Sequence, residues 1–542
     1  MGRSLILLLI YALLLAAATL IEKYAGTVAA KMIIYYSPAI ILLLGIIVAN
    51  FIAVSIKYRL FKKPKWGFLF VHIAFIAILL GALVSHIFGE EGVIHLREGQ
   101  NTNQMFVQTN KGETYKNLPF SIQLKEFILT RYPGSQTPSS YESVLIIHTD
   151  GNFTEKTISV NNVLDIKGYR LFQSSYDRDE KGSILAVNRD IPGRQITYTG
   201  YFLLIVGFIL FLTSKKSRLR QLSRRLKELN TLSKASIILL ILLFSPVLVN
   251  AQNTSANITE SSAEILYNQL NIFPLCKIIY LISGSILLLL TIASLFVSHK
   301  WVKRIIPLLN LFIVGSFLYH VFGIGLRWYI AGYAPWSNLY ETMIFVSLIS
   351  VLVGFIFYRQ SKIVYALAVL FGGVILFVSG LSKMDPEIGL LVPVLKSPWL
   401  IFHVSIIMVS YGFFGVSFLL GITNLILLKV NQKKRGEIIS IRIKELSIIN
   451  EMSLWIGLCF LTVGTFLGAI WANETWGRYW GWDPKETWAL ITIIAYAIVT
   501  HLAFTNKKDN LKWLNAGSVI AFFCVLMTYF GVNYFLSGMH SY

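Results

Sequence analysis

Charge is scarce in this 542-residue chain. Asp, Glu, Lys and Arg make up 14% of it and hydrophobic residues 55%, whereas a soluble domain carries roughly a quarter charged residues. Long apolar runs, such as LILLLIYALLLAAATLI near the start and LIVGFILFL near residue 210, go with that scarcity. Together they exclude a soluble single-domain enzyme, a disordered chain and a fibrous protein, and leave a polytopic membrane protein. Acidic residues are the scarcer kind: 27 against 48 Lys and Arg, a net charge of +21. In a soluble protein that excess would suggest nucleic acid. There is no Gly-rich phosphate loop, Cys/His finger or aromatic-basic groove, so no nucleic-acid partner is expected. Cysteine is nearly absent. Cys276, Cys459 and Cys524 lie far apart, mostly in apolar segments, and read as small core residues. No CxxC pair supplies a thiol couple, and no CxxCH motif makes the chain itself a c-type cytochrome.

What is present is a regular series of apolar segments. Length alone gives about thirteen spans, each near the ~20 residues that cross a bilayer core. They fall at 4–21, 33–54, 67–88, 198–213, 236–250, 279–297, 305–323, 341–357, 363–380, 399–428, 454–471, 487–504 and 514–535. The first is too long for a cleaved signal and lacks a clean small-x-small site. The short fifth ends in SPVLVNAQ, which resembles a cleavage site and reads as the junction of two modules that were once separate. The clusters KYRLFKKPK, SKKSRLRQLSRRLK, HKWVKR, YRQSK, KVNQKKR and TNKKDNLK occupy alternate loops. Basic loops stay inside, which predicts a cytoplasmic N-terminus and an external C-terminus.

The expected fold is an all-α polytopic integral membrane protein with one small β-rich extracytoplasmic domain. Residues 1–89 form the first transmembrane helices, and 90–196 the outer domain, with period-two alternation in YESVLIIHT, KTISVNN and GYRLFQSSY. Turn signals are NLP, YPGS and TDGN. Residues 197–213 form a returning helix, 214–235 a basic cytoplasmic linker, and 236–542 a second membrane module.

The nine histidines carry the functional argument, because an ionisable residue inside a membrane is a functional hypothesis by default. His72 follows Lys65 by seven positions and His501 precedes Lys507 by six. At 1.5 Å per helical residue both lie ~10 Å inside the cytoplasmic face, reached from opposite chain directions. They are candidates to face each other across one plane. The alternative is that each is separately hydrogen-bonded to backbone or hydroxyl groups. A second pair is external: His403, after KSPWLIF, and His540, in GMHSY. Between their helices lies WANETWGRYWGWDPKETW, with Trp471, Trp476, Trp480, Trp482 and Trp488 in eighteen residues. An interfacial belt explains one or two of these. Five, with Gly477 and Gly481 permitting close approach, suggest a flat platform for a planar ligand. Two imidazoles and an aromatic slab suit haem. Arg478 and Lys485 are candidates for its propionates, and Asp483 and Glu486 for orienting a ligand histidine. The bland reading pairs these charges with one another at the headgroups.

The segment WGRYWGWDPKETWALI, within 471–488, resembles the tryptophan-rich WWD signature of haem-handling membrane proteins. RWYIAGYAPWSNLYE (with Trp336 and Asn338), SPWLIFHVSIIMVSYG and GVNYFLSGMHSY resemble the CcsA (ResC) member of system II cytochrome c biogenesis. FGEEGVIHLREGQ and GYRLFQSSYD resemble its partner CcsB (ResB), so the chain is similar to a CcsBA-type fusion. The resemblance implies that His403 and His540 ligate haem iron outside, beside the tryptophan segment, and act in catalysis. It implies that His72 and His501 ligate haem arriving from the cytoplasm. His86, fourteen positions after His72, is a competing match. Trp336, Asn338, Trp471, Trp476, Arg478, Trp480, Trp482, Asp483, Lys485 and Trp488 are the matching cofactor-binding positions. Tyr333 stands where the family often carries histidine. The implied reaction is holocytochrome c synthase (haem lyase) chemistry in the bacterial inner membrane: haem b joins an apocytochrome c CxxCH motif through thioethers. Having no cysteine pair, the chain implies a separate thiol reductase pathway.

Two other classes compete. His72 and His86, with thirteen residues between them, suit a bis-histidine transmembrane cytochrome b, although no second helix carries such a pair. A transporter without chemistry explains the spans but not the external His-Trp-His arrangement. His299 reads as solvated, His148 lies on a predicted strand and His95 at the domain entrance. His320, near an outer helix end, would at most support a ligand.

Overall fold

The computed structural model describes residues 2–57, 66–109, 112–229, 258–294, 302–431, 437–503 and 510–536. Helices α1 (Gly2–Ala30), α2 (Pro38–Lys57) and α3 (Trp66–Phe88) precede an eight-stranded domain, and α4 (Ile191–Thr213) returns from it. Then come α5 (Arg218–Leu229), α6 (Ile258–Leu270), α7 (Ile272–Ala293), α8 (Val302–Ala331), α9 (Leu339–Phe357) and α10 (Lys362–Ser379). The last four are α11 (Pro398–Asn431), α12 (Glu437–Trp476), α13 (Pro484–Leu502) and α14 (Asn510–Leu526), which continues through a π turn to Phe535. Among the described residues, eleven helices are long and apolar enough to cross a membrane. Twelve of the thirteen expected spans fall on helices, α13 included. That helix carries Lys485 and Glu486 in its first turn and His501 in its last, which keeps it out of the eleven. The expected span 236–250 lies outside the described residues.

In lipid, helices associate through close packing rather than hydrophobic drive, so small residues sit at the seams. The α3–α4 pair follows this rule. A Cβ on Gly67 would lie 2.6 Å from the Phe211 backbone nitrogen, and one on Gly200 2.6 Å from the Ile78 side chain. Helix α5 occupies the basic linker and is amphipathic. Leu219, Leu222 and Leu226 are buried, while Arg218 makes a two-pronged ion pair with Glu451 of α12 at 2.7 and 3.0 Å. The linker and the start of α12 therefore share one face of the molecule, and α12 is helical through the expected loop 437–450 because Ile439, Ile443 and Leu446 are buried there.

The sheet domain is a single antiparallel sheet of β1 (Glu90–Arg97), β2 (Asn101–Thr109), β3 (Gly112–Arg131), β4 (Pro138–Thr149), β5 (Asn152–Ser159), β6 (Leu164–Ile166), β7 (Tyr169–Tyr176) and β8 (Gly182–Arg189). Its order is β5-β4-β3-β2-β1-β8-β7-β6. Alternate residues such as Leu124, Leu145, Ile158, Leu171 and Leu185 are completely buried in its core. Two expectations are corrected. The sheet ends at Arg189 and the returning helix begins at Ile191, ahead of the expected 197, because Asp190 caps it by accepting from Gly193 N. NLP is not a turn: Asn117, Leu118 and Pro119 lie inside β3. There the register with β2 jumps from Gln104↔Asn117 to Thr102↔Ile122, so Pro119 sits at a bulge, where the ladder does not need its missing N–H.

The sheet domain docks on the second module at the end of α12 and on the loop before α11. Arg170 of β7 donates to both oxygens of Asp165 and to Glu474 Oε1 of α12, each at 2.9 Å. Asn161 donates to the carbonyls of Pro393, Val394 and Lys396 at 3.2–3.4 Å, and Thr475 donates to Asn161 Oδ1 at 2.7 Å. Asn188 donates to the Gly477 carbonyl at 2.6 Å. Gly477 has φ 76, and a Cβ there would lie 2.5 Å from the Phe172 ring, so both its conformation and the contact require glycine.

Candidate functional site

Two histidine sites lie at opposite ends of the helices. At the end nearer α5, His72 of α3 and His501 of α13 come within electrostatic reach of each other. Each Nδ1 pairs at 2.7 Å with the carbonyl four residues back, Phe68 for His72 and Ala497 for His501. A nitrogen facing a carbonyl must be the protonated one, so Nε2 carries the lone pair that a metal takes. Trp455 of α12 lies 5.9 Å from His501 and 5.9 Å from Phe68 by ring centroids, and Phe51 packs edge-on against His72 at 5.8 Å. The pair thus joins the two modules. His86 points elsewhere: it is exposed beside Tyr36, centroids 5.2 Å apart.

At the other end a cavity of about 370 Å³ opens between α9, α11, α12, α13 and the last helix, within the usual range for ligand sites. Of the expected residues, Trp336, Asn338, His403, Trp471, Trp480 and Lys485 line it. His403 is less than two turns into α11, and its Nδ1 pairs with the Gly464 carbonyl at 2.7 Å. Its ring lies flush on α12 at Gly468, where a Cβ would be 2.4 Å from Cε1, and stacks at 18° with Trp471, centroids 6.5 Å apart. Lys485 Nζ donates to Asn533 Oδ1 at 3.0 Å. The wall at Trp336–Asn338 is held by an ion pair that sequence reasoning missed. Arg327 and Glu341 are fully buried, with Nε to Oε1 at 2.9 Å. Glu341 Oε2 accepts from Ser337 N and Oγ, while Arg327 also donates to the Pro386 and Glu387 carbonyls. The hints in the sequence are an acidic residue in the first turn of an apolar run and the place of both residues at the two ends of RWYIAGYAPWSNLYE. Tyr529, Thr342, Tyr411 and Lys383 also line the cavity; of these only Tyr411 falls within a stretch singled out in the sequence, SPWLIFHVSIIMVSYG.

The five tryptophans do not share one surface. Trp471 and Trp476 belong to the last turns of α12 and Trp488 to α13, so only 477–483 is irregular. Trp476 packs on Trp471, centroids 4.8 Å apart. Trp482, at φ 60, stacks on Tyr35 at 4.5 Å, and Trp488 Nε1 donates to Thr19 of α1 at 3.3 Å. Arg478 lies near Lys31 and Tyr36, away from the cavity lining. Asp483 and Glu486, expected to orient a ligand histidine, are engaged at the start of α13. They form the capping box of α13, with Asp483 accepting from Lys485 N and Glu486 from Gly481 N and Asp483 N. Tyr333 donates to the Gly389 carbonyl at 2.7 Å, tying the loop after α8 to the loop after α10. His95 pairs with Asp177, His148 packs on Phe153, and His320 is buried against Phe273 and Tyr280. His299 and His540 lie outside the described residues. Among the described residues no group of three or more His, Cys, Asp or Glu is placed to hold a metal ion by itself.

Residues 336–540 match the Cytochrome C assembly protein family and residues 63–190 the ResB-like family. Protein NrfI of Wolinella succinogenes is 28% identical over 92% of this chain and 90% of its own length. The cytochrome c biogenesis protein CcsA of Trieres chinensis is 32% identical over 48% of this chain and 95% of its own, and that of Arabidopsis thaliana 35% identical over 40% and 80%.

Proposed function

The chain belongs to the cytochrome c biogenesis family, as a fusion of ResB-like and cytochrome c assembly modules, and from that premise we propose that it carries haem b across a membrane and attaches it to apocytochrome c. His72 and His501 take haem from the cytoplasmic side. His403, with His540, holds it in the outer cavity against Trp471 and Trp480. In the attachment step each cysteine S–H of a CxxCH motif adds across a haem vinyl group. One C–S bond forms, the proton goes to the neighbouring carbon, and nothing is oxidised. The substrate cysteines arrive reduced from a separate thiol reductase pathway, and the membrane is the bacterial inner membrane. The residues suit haem ligation, since the Nδ1 of His72, His501 and His403 is each held by a carbonyl, which aims Nε2 at iron.

The observation that carries the reading is His403 lining an outer cavity beside Trp471 and Trp480. The test is the visible spectrum of protein purified from haem-replete cells. Bis-imidazole b-type haem is expected, weakened by His403→Gly or His540→Gly and partly restored by added imidazole, which returns the ligand atom to an intact pocket. The double variant His72→Ala, His501→Ala loses haem throughout, since the inner pair fills the outer one. A clean preparation without a Soret band refutes the reading. A bis-histidine electron carrier finds no support, because among the described residues only α3 carries two histidines and His86 faces outward.

A further inference from the structure

We propose that Tyr35, on the turn between α1 and α2, is a positioning residue for the outer cavity: stacked on Trp482, it holds the strained turn 480–483 that presents Trp480 as cavity wall. This rests on the reading of the cavity as a haem site. It brings the N-terminal helices into a site whose lining residues all lie beyond residue 335.

The tryptophan loop is strained at Trp482. Its φ of 60 falls in the left-handed region that bulky side chains avoid and that glycine or asparagine usually fills. Such a conformation persists where its surroundings over-determine it, and it collects at ligand clamps. The backbone supplies part of the restraint. Glu486 Oε2 accepts from the N–H before Trp482, at Gly481, and from the one after it, at Asp483, at 2.8 and 3.3 Å. One carboxylate oxygen thus gathers the chain on both sides of the strained residue. The ring supplies the rest: it lies face to face with Tyr35, centroids 4.5 Å apart and planes at 15°, within the range of a favourable aromatic pair.

Tyr35 is itself fixed. It is 2% exposed and ends the π turn Lys31–Tyr35, after which Ser37 donates its N–H and hydroxyl to the Ile34 carbonyl at 3.0 and 2.9 Å. Such turns are rare and frequently mark functional sites. Its core joins the two modules: Leu15, Ala18 and Ile40 of the N-terminal helices pack with Ile491 and Ile494 of α13, and Trp482 and Trp488 lie against them. From Trp482 the restraint reaches the cavity in one step. The Trp480 ring meets the Trp482 ring edge-on, centroids 6.0 Å apart at 83°, and Trp480 lines the cavity. Tyr35 does not line it, so it acts through Trp482 rather than on the ligand.

The test uses the full-length protein in detergent. Tyr35→Leu keeps an apolar side chain without a flat face, and Tyr35→Phe keeps the face and drops the hydroxyl. Leu15→Ala loosens the same core twenty positions earlier in the chain. Each is titrated with iron protoporphyrin IX, and the part of the Soret band absent from His403→Gly reports the outer cavity. Tyr35→Leu is expected to weaken that part about fivefold, since an aromatic pair is worth up to about tenfold in an equilibrium constant. The His403-independent part should stay as in wild type. Tyr35→Phe is expected to bind as wild type does, and Leu15→Ala to lower the thermal midpoint without changing the outer affinity. Near-ultraviolet circular dichroism of haem-free protein checks the stack itself: the signal of immobilised rings should fall in Tyr35→Leu and persist in Tyr35→Phe. Wild-type outer affinity or unchanged dichroism in Tyr35→Leu overturns the positioning role and leaves the cavity a haem site. So does an equal loss of affinity in Tyr35→Phe or in Leu15→Ala. If the wild type gives no His403-dependent band, the haem reading itself fails and takes this inference with it.

Discussion

Adding one methyl group at Gly468 tests whether the His403 imidazole is used as a ligand. An alanine Cβ there would stand 2.4 Å from Cε1 and 2.5 Å from Nδ1 of the ring, whereas ordinary contact begins at 3.4 Å. Something must move by about 1 Å. Shifting the packed helices to make room costs typically 1–3 kcal/mol, as overpacking does. Swinging the imidazole away gives up its hydrogen bond to the Gly464 carbonyl, worth about 1 kcal/mol net. The ring therefore yields first, and Gly468→Ala misplaces its Nε2 while leaving the fold intact. Misplacement by 1 Å at a reacting centre costs up to about a hundredfold, so cytochrome c assembly in cells should fall by at least about tenfold. The assay pairs reporter cytochrome levels with the spectrum of the purified variant. Gly315→Ala on α8 is the control, because nothing lies within 4 Å of its added Cβ. Wild-type assembly with unchanged ligation in Gly468→Ala would refute the use of His403 as a ligand held against α12.

The docking of the sheet domain should depend on pH through Asp165. Its carboxyl is held below the usual range, first by the hydrogen bonds from Arg170. The contact is therefore whole above the ordinary carboxylate pKa and weakens as pH falls through the depressed value. Limited proteolysis of 90–189 across acid pH reads this, and Arg170→Ala should be more easily cleaved already at neutral pH. Glu341→Gln leaves Arg327 charged and buried without its anion, and should cost roughly 3–5 kcal/mol, seen as a lowered thermal midpoint in detergent. A shift below about a tenth of that would mean the pair holds nothing. Reporter fusions should place 90–196 and Tyr542 outside and 214–235 and 430–450 inside; a cytoplasmic C-terminus would remove the outer haem site.

Much of this is legible without coordinates, because it depends on local properties of the chain. The length of an apolar run decides whether it can span, and the position of Lys and Arg clusters decides which loops stay inside. The depth of a histidine follows from counting residues to the nearest cluster, which is why His72 and His501 match on depth alone, and the fold brings them within electrostatic reach. The alternation in YESVLIIHT and GYRLFQSSY marks strands because the side-chain period there is two. NLP misleads for the opposite reason: whether proline ends a strand or occupies a bulge depends on the neighbouring strand's register, and β2 supplies the bulge.

What only the tertiary structure decided is which residues share a cavity. The tryptophans between 471 and 488 are close in sequence, yet they are spread over the end of α12, the irregular segment 477–483 and the start of α13, which sends them different ways. Trp471 and Trp480 line the cavity, while Trp488 holds α1 through Thr19 and Trp482 stacks on Tyr35 just beyond it. Lys383 and Lys485, far apart in sequence, share that cavity, and Glu341 finds Arg327 across a loop. Apolar length and charge are properties of a segment, so the sequence determines them alone. The rotation of each helix about its axis is set by the partners it packs against, and no segment carries that information by itself.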